Sequence, residues 1–316
     1  GLDSLRTINN QPQINDLLLR RAMLDQYNVD FSMLGEKSKS YASLLFEDNK
    51  TRYQGSGYNR YGMDFSNEYK FTEFLTFNFG LYLQYKKQTS SGATPTELRS
   101  LSPYETLLNP DGTYSVNLNT YNRAVLAGLP LNDFPYNDLS YNLLREVRGR
   151  NFNTEDYNAR FQAGINVRII PGLNLDSKLQ YERGKTETEN YFSEDTFYAR
   201  NLVNQNVEYF SNTQTVGRQF VPKGGINQSN SSNLASYVFR NQLTFVKDFG
   251  SKHSINAIAG MEISQYRDDS RVNPWLYGYY PDKLQTTVPP YGYRSSIEKF
   301  VGLDRWGTEL PGGNTV

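Results

Sequence analysis

A run of strict alternation from Leu75 to Lys86 constrains this chain more than any other feature. Apolar or aromatic side chains occupy every second position from Leu75 to Tyr85, and the positions between them carry mainly polar residues and glycine. A period of two places these sets on opposite faces of a β-strand. At about 3.3 Å per residue and a tilt near 40°, the apolar face spans roughly 25 Å, the height of the lipid band that an outer-membrane barrel strand crosses.

Seven further segments repeat this alternation, and together they predict eight antiparallel strands within residues 26–268. The strands are predicted at residues 27–33, 40–46, 60–70, 75–86, 157–169, 173–182, 237–249 and 255–264. Residues 1–25 form a lead-in with about two helical turns at 14–23, and residues 269–316 form a truncated extracellular loop. The predicted class is an all-β, antiparallel transmembrane barrel segment.

The predicted connections alternate between short and long, which is typical of barrels with short periplasmic turns and long extracellular loops. Short turns are expected at 34–39, 71–74, 170–172 and 249–252. Long outer loops are expected at about 88–155 and 186–233, with a polar loop at 48–57. The direction in which the apolar residues of the second strand point stays open, because Leu44, Leu45 and Phe46 are consecutive.

Composition excludes several classes of protein. No apolar run reaches the 18 or more residues of a transmembrane helix. Lys and Arg total 33 and equal Asp and Glu at 33, so no global field attracts nucleic acid. With no cysteine and one histidine, thiolate and multi-histidine metal sites are excluded, and we predict neither a metal nor a cofactor.

Two sets of side chains are predicted on the two faces of the sheet. One tyrosine near the outer end of five strands predicts an aromatic girdle at the membrane interface: Tyr61, Tyr85, Tyr157, Tyr181 and Tyr237. The other parity predicts residues that face a polar lumen or a plug: Arg60, Asp64, Glu68, Asn78, Arg160, Arg168, Lys178, Arg240 and Glu262.

The outer loops carry aromatic residues that could stack on sugar rings or pack on a lid protein: Trp275, Tyr277, Tyr279, Tyr280 and Tyr291. The alternative, that large loops simply pack on each other, has equal weight.

Candidates for catalysis or ion binding are outweighed by simpler interpretations. Glu187 with Glu189, or Asp64 with Glu68, could be paired acids of a glycosidase. His253 is interpreted as a turn residue, and Asp268 with Asp269 as solvated loop charge rather than a calcium site. We therefore predict that the protein is not an enzyme.

Several short runs, in order and spacing, resemble the SusC/RagA-like TonB-dependent outer-membrane transporters of Bacteroidetes. The matching residues are 27–32 (Tyr-Asn-Val-Asp-Phe-Ser), 35–38 (Gly-Glu-Lys-Ser), 41–44 (Tyr-Ala-Ser-Leu), 75–77 (Leu-Thr-Phe) and 109–114 (Asn-Pro-Asp-Gly-Thr-Tyr), with Arg60, Tyr61, Asp64, Phe65 and Lys70 between them. Met33 and Leu34 depart from the family, which more often has a glycine pair before this turn. The likeness covers residues 26–115 and is one of pattern beyond them.

The resemblance implies eight strands of a 22-stranded barrel in the bacterial outer membrane. It also implies uptake of oligosaccharides or peptides with a SusD-like surface lipoprotein as lid. The plug and the segment that contacts TonB are expected outside this stretch. Two alternatives stay open: a self-contained eight-stranded barrel with an adhesin or structural role, and a soluble β-rich carbohydrate-binding module.

Overall fold

The computed structural model describes residues 8–116, 121, 126–210, 212–250, 252–283 and 285–287. Its strands are β1 (Met23–Leu34), β2 (Ser38–Lys50), β3 (Ser56–Lys70), β4 (Leu75–Ser90), β5 (Arg150–Ile170), β6 (Leu173–Phe192), β7 (Val207–Phe210), β8 (Thr215–Gln219), β9 (Gly225–Phe249), β10 (His253–Val272) and β11 (Leu276–Tyr279). Eight long strands form one antiparallel sheet in the order β1-β2-β3-β4-β5-β6-β9-β10, and β11 pairs with β9. The predicted antiparallel all-β class is confirmed.

The helices are short and lie outside the sheet. They are α1 (Gln11–Leu17), α2 (Pro95–Ser100), α3 (Leu143–Gly149) and α4 (Phe197–Asn204), with 3-10 turns at Leu131–Asp133 and Pro281–Lys283. The predicted helix at 14–23 was misplaced, because Pro12 favours an earlier start and Leu19 already forms a bridge with Tyr53. Within the part of the chain that the structure describes, no helix combines the length and the hydrophobicity needed to cross a bilayer.

The strands extend further towards the outer loops than the sequence predicted. The polar loop predicted at 48–57 shrinks to the five residues 51–55 between β2 and β3. The loop predicted at 186–233 was also wrong at both ends, because β6 continues to Phe192 and β9 begins at Gly225. Likewise β10 continues to Val272. These outer parts have polar residues on both faces, so they carry no period-two signal.

Strand pairing resolves which side chains share a face. Tyr27, Phe46, Tyr61, Tyr85 and Tyr157 are paired in one row across β1 to β5. In β2, Phe46 and Leu44 therefore lie on the apolar face and Leu45 lies on the polar face. No described element covers the apolar face: Phe77 remains 43% exposed and Phe161 38% exposed. The closed core that a soluble module requires is thus not formed beneath these rings.

The ends of the strands are staggered along the sheet. The row from Tyr27 continues through Lys185 and Asn233 to Asp269. From this row to the short-turn end there are 7 residues in β1 and 16 in β10, a drift of 9 residues over 7 strand steps. With about 3.3 Å per residue and about 4.8 Å between strands, short turns at one level require a tilt of about 40°, as in closed barrels.

The two edge strands do not meet. β1 and β10 lie at opposite ends of the sheet order and are not paired with each other. A self-contained eight-stranded barrel requires that pairing, so the described residues do not support this alternative. The described sheet is therefore open, with β1 and β10 as its edge strands.

The buried core lies in the outer connections. Its main cluster joins Ile14 and Leu18 of the lead-in to Leu107, Leu143 and Leu144 of the connection between β4 and β5. Asn10 fixes the same contact, because its side-chain nitrogen donates to the carbonyl oxygens of Ser102 at 2.8 Å and Glu105 at 3.0 Å. The lead-in and this connection therefore form one folded outer cap.

Candidate functional site

The polar face of the sheet gathers all nine residues predicted to face a lumen. Strand pairing places Glu68, Asn78, Lys178, Arg240 and Glu262 in a single row across β3, β4, β6, β9 and β10, with Gly164 on β5 between them. These five side chains line a concave space of about 600 Å³ on the sheet. The row carries acidic, neutral and basic groups, so this surface can bind polar groups of either sign. Its role stays a prediction.

The remaining four predicted lumen residues spread along the same face. Arg60 pairs with Glu47 at 2.6 Å, and the Arg160 guanidinium lies 5.1 Å from the Tyr82 ring centre. Asp64 is paired in register with Tyr82, which is paired in turn with Arg160, so Asp64 and Arg160 lie two strands apart. Arg168 lies near the short turns, where it donates to the Glu73 carbonyl oxygen at 2.9 Å.

The predicted girdle tyrosines share the apolar face but not one row. Tyr61 and Tyr85 have ring centres 6.2 Å apart, and Tyr85 and Tyr157 are 4.9 Å apart. Tyr181 and Tyr237 are paired with each other four residues nearer the short turns. A tilt of about 40° offsets adjacent strands by about 4 Å, roughly one residue, and accounts for only part of this difference. Their role as a girdle stays a prediction.

The structure adds two residues, Tyr27 and Phe46, to the aromatic row that was predicted from the sequence. Phe46 lies 5.0 Å from Tyr61 and 6.2 Å from Tyr27, measured between ring centres. The signal was the parity of Phe46 with Leu44, which the intervening Leu45 obscured.

The carboxylates considered for catalysis or calcium binding have other partners or lie apart. Asp64 and Glu68 are four residues apart on one strand, roughly 13 Å, which exceeds the spacing of glycosidase acids. Asp268 and Asp269 lie in β10, not in a loop, and consecutive strand residues point to opposite faces. Asp268 accepts from Ser232, and Asp269 pairs with Arg267 at 2.7 Å.

The second acidic pair, Glu187 and Glu189, also lies in a strand. Glu187 pairs with Lys185 at 2.6 Å, and Glu189 accepts from the Asn227 amide at 3.1 Å. His253 begins β10 and is exposed. Among the described residues, no group of three or more His, Asp and Glu side chains could hold a metal ion.

A partly buried charge cluster joins the two outer connections. Arg200 of α4 pairs with Asp138 at 2.6 Å and donates to the Ser140 carbonyl oxygen at 2.9 Å. Arg145 of α3 reaches the same Asp138 oxygen at 2.6 Å. Burial alone would raise the pKa of Asp138, but hydrogen bonds from Ser140 and the two arginines outweigh it and hold that pKa below its ordinary value.

Glu146 of α3 caps the start of α4. Its carboxylate accepts the backbone N–H groups of Phe197 and Tyr198. Burial raises the pKa of Glu146, although these hydrogen bonds and Arg200 oppose the shift. Two helices from different connections are therefore held together by one side chain.

Arg150 closes the base of the connection between β4 and β5. Its guanidinium meets both oxygens of Glu97, at 2.6 and 3.0 Å, and donates to the carbonyl oxygens of Ser91 at 2.9 Å and Gly92 at 2.7 Å. Burial alone would raise the pKa of Glu97, but the bonds from Arg150 and Thr94 outweigh it, and that pKa lies below its ordinary value.

The aromatic residues proposed as loop contacts pack partly against the sheet. Trp275 lies 6.4 Å from Phe192, Tyr279 lies 5.8 Å from Tyr191, and Tyr280 is exposed. Tyr277 is half-buried, and burial raises its pKa. Tyr291 lies outside the described residues.

Three further aromatic residues join this outer cluster without having been predicted. Phe192 lies 4.2 Å from Tyr198 and 5.0 Å from Phe152. The sequence carried no signal for them, because the contact depends on where α4 folds back onto β6.

Comparison with known proteins gives one curated relative and several solved structures with a similar fold. No protein-family model matches the chain. A curated relative, TonB-dependent receptor P39 of Formosa agariphila, is 24% identical over 258 residues, which cover 80% of this chain and 21% of the relative. The chain thus spans about a fifth of the length of that relative.

Solved structures share the fold. A structure of the RagAB peptide transporter matches with a TM-score of 0.65 at 16% identity, over 92% of this chain and 29% of that one. The RagAB peptide importer in its 'closed-closed' state matches with a TM-score of 0.63 at 16% identity, over 90% and 28%. The predicted resemblance to SusC/RagA-like TonB-dependent transporters is confirmed.

Proposed function

We propose that this chain is part of a TonB-dependent importer of the bacterial outer membrane, in which it forms about eight strands of a 22-stranded barrel wall. The observation that carries the proposal is the division of one tilted sheet into two chemically different faces. Apolar side chains cover one face without a packing partner among the described residues, and a charged, concave surface covers the other. A lipid-facing wall around a polar lumen has this arrangement.

The apolar face supplies the membrane contact in this proposal. From Leu75 to Tyr85 its ten residue steps, tilted by about 40°, rise roughly 25 Å and match the lipid band of an outer-membrane barrel. The predicted girdle tyrosines would mark the outer interface. Beyond them the same face carries ion pairs such as Lys87 with Glu155 at 2.8 Å, as suits a surface in water.

The polar face supplies the transport path or the contact with a plug. The register row containing Glu68, Lys178, Arg240 and Glu262 offers donors and acceptors across the wall. Reversible polar contacts of this kind allow a substrate to bind and to move along the wall. We propose no covalent step. Oligopeptides are our first choice of substrate, because the structural neighbours are named as peptide importers. Oligosaccharides are the second choice.

The outer cap supplies the surface for a lid. The described parts of segments 91–149 and 193–224 are joined by a shared core and by the pairing of Asp138 with Arg200, so the connection between β6 and β9 extends this cap. We propose that a SusD-like lipoprotein docks on this cap. TonB would contact a segment outside this stretch.

Uptake by cells tests the proposal. A strain that lacks the gene of the complete protein is compared with its complemented strain for accumulation of fluorescent oligopeptides and, in parallel, labelled oligosaccharides. We expect deletion to abolish uptake of one substrate class, complementation to restore it, and a protonophore to block it, because TonB draws on the energised inner membrane. Uptake that continues at the same rate after deletion or with the protonophore would contradict the proposal.

A further inference from the structure

The apolar face is not uniform. A shallow groove of about 600 Å³ crosses β3 to β6 beside the tyrosine row. Tyr61, Tyr85 and Tyr157 line one side, and Met63, Leu83 and Ala159 line the other. Ala159 is paired with Leu83 on one strand and with Arg183 on the next, so its small side chain leaves space between larger neighbours.

Arg183 ends this groove with a charge that lacks an acidic partner. Its Nε donates to the Tyr181 hydroxyl at 2.5 Å, and its guanidinium lies 5.7 Å from that ring centre. These contacts fix the group beside the groove and leave its terminal N–H groups available. Within the described ranges, no carboxylate forms an ion pair with it.

Three other cations on the outer part of the same face have acids beside them. Lys87 pairs with Glu155 at 2.8 Å, Lys185 with Glu187 at 2.6 Å, and Arg267 with Asp269 at 2.7 Å. Among the described residues, Arg183 and Arg271 on the outer part of this face have no such acid, and of these two only Arg183 lines the groove. A positive charge at the end of an apolar groove is complementary to an anionic amphiphile.

The position of Arg183 fits the headgroup level of a membrane. It follows Tyr181 by two residues in the outward direction of β6, a rise of roughly 5 Å at a tilt of about 40°. This step rests on the proposed function, which sets the apolar face in lipid and the tyrosines at its outer boundary.

We propose that the groove binds one phosphorylated lipid of the outer leaflet. An acyl chain lies along Met63, Leu83 and Ala159, and a phosphate accepts hydrogen bonds from the Arg183 guanidinium. Tyr181 orients that guanidinium. The site lies on the outside of the wall, separate from the polar face on which transport is proposed.

Lipid binding to the complete protein tests this site. Protein in neutral detergent is titrated with bisphosphorylated lipid A and with the same lipid after dephosphorylation, and bound lipid is counted by native mass spectrometry. We expect at least about fivefold tighter binding of the phosphorylated form in the unaltered protein. Arg183→Gln should weaken it about tenfold, and Arg183→Lys should keep it within about threefold, because the charge remains.

Two matched variants separate the groove from general charge effects. Ala159→Leu fills the groove and should weaken binding by about fivefold or more, whereas Arg160→Gln removes an equal charge from the opposite face and should leave lipid binding unchanged. Equal binding of both lipids, an unaffected Arg183→Gln variant, or displacement by inorganic phosphate at the same concentration would overturn the proposal. Folding of each variant is checked by heat-modifiable migration.

A separate measurement distinguishes this failure from failure of the proposed function. In Phe161→Trp protein reconstituted with brominated lipid, quenching of the new tryptophan reports that the apolar face contacts lipid. Quenching combined with an unaffected Arg183→Gln variant rejects the lipid site alone. Absence of quenching at position 161 rejects the membrane placement and the site with it.

Discussion

Where two backbone segments come close together, a single residue can limit how the strands are joined. Gly172 turns β5 into β6 with φ of +89°, and its carbonyl oxygen accepts from the Val246 backbone at 2.7 Å. A Cβ at this position would lie 2.4 Å from the Val246 carbonyl oxygen. The turn therefore needs glycine for its backbone conformation and also for its contact with β9.

We predict that Gly172→Ala destabilises the folded wall more than Gly250→Ala does. Gly250 also has positive φ, +64°, but an added Cβ would meet no atom within 4 Å. The control should cost about 1 kcal/mol from backbone strain alone, and Gly172→Ala should cost that amount plus the clash with Val246. The temperature at which the complete protein loses its compact, heat-modifiable migration measures the difference. Equal losses would show that β9 does not approach this turn.

At the scale of elements, the outer connections are held by a few polar side chains. We call the contact of Arg150 with Glu97 and the carbonyl groups of Ser91 and Gly92 the Arg150 latch. Arg150, at the start of β5, holds Glu97 and two carbonyl groups at the base of the preceding connection. Its side chain is 9% exposed, whereas Arg148 makes only a 3.4 Å bond to the Tyr114 hydroxyl and a ring contact. The two arginines therefore form a matched pair for mutation.

We predict that Arg150→Gln opens the base of this connection and that Arg148→Gln does not. Loss of a buried, bidentate partner leaves Glu97 uncompensated, which costs on the order of 3 kcal/mol locally. Amide hydrogen exchange of residues 91–100 should then rise by about 100-fold, while exchange in β4 and β5 stays near that of the parent protein. Similar exchange in the two variants would argue against the latch.

The same latch has a definite pH dependence. The pKa of Glu97 lies below its ordinary value of 4.5 in the folded protein, so its contribution to stability is complete above that value and is lost as the pH falls through the lowered pKa. We predict faster exchange at residues 91–100 below pH 4.5, after correction for the intrinsic rate. Glu97→Gln should remove this dependence, and a dependence that survives the substitution would point to Asp138 instead.

The elements also show how far the sequence was informative. Alternation located all eight long strands, because within the apolar band one face is apolar and the other is polar. Residues 186–192 and 225–233 escaped detection because polar residues occupy both of their faces and the few apolar ones, Tyr191, Phe192 and Ile226, do not alternate. The folding of α4 onto Glu146 and the pairing of Arg200 with Asp138 depend on contacts between separate connections, which strand periodicity does not encode.

At the scale of the whole molecule, the proposed function depends on which side chains lie on each face of the sheet. The sequence assigned each residue to a face only from its odd or even position within a strand. Strand pairing places every predicted lumen residue on one face and the tyrosines on the other. The stagger of the strand ends adds a tilt of about 40°, which a flat sheet in a soluble domain does not need. In the proposed membrane setting, an exchange of the two faces would place charged side chains in lipid.

We predict that Ala163→Arg prevents assembly of the complete protein far more than Gln162→Arg does. Ala163 is paired with Phe79 and Leu179 on the apolar face, near the middle of the band, whereas Gln162 has the opposite parity and is paired with Gly80 and Gln180 on the polar face. An arginine at the middle of the lipid band of a barrel costs about 2 to 4 kcal/mol, and one facing a polar interior costs little. The amount of heat-modifiable protein in outer-membrane fractions measures the effect. Equal assembly of the two variants would mean that neither face meets lipid, and the importer proposal would fail with it.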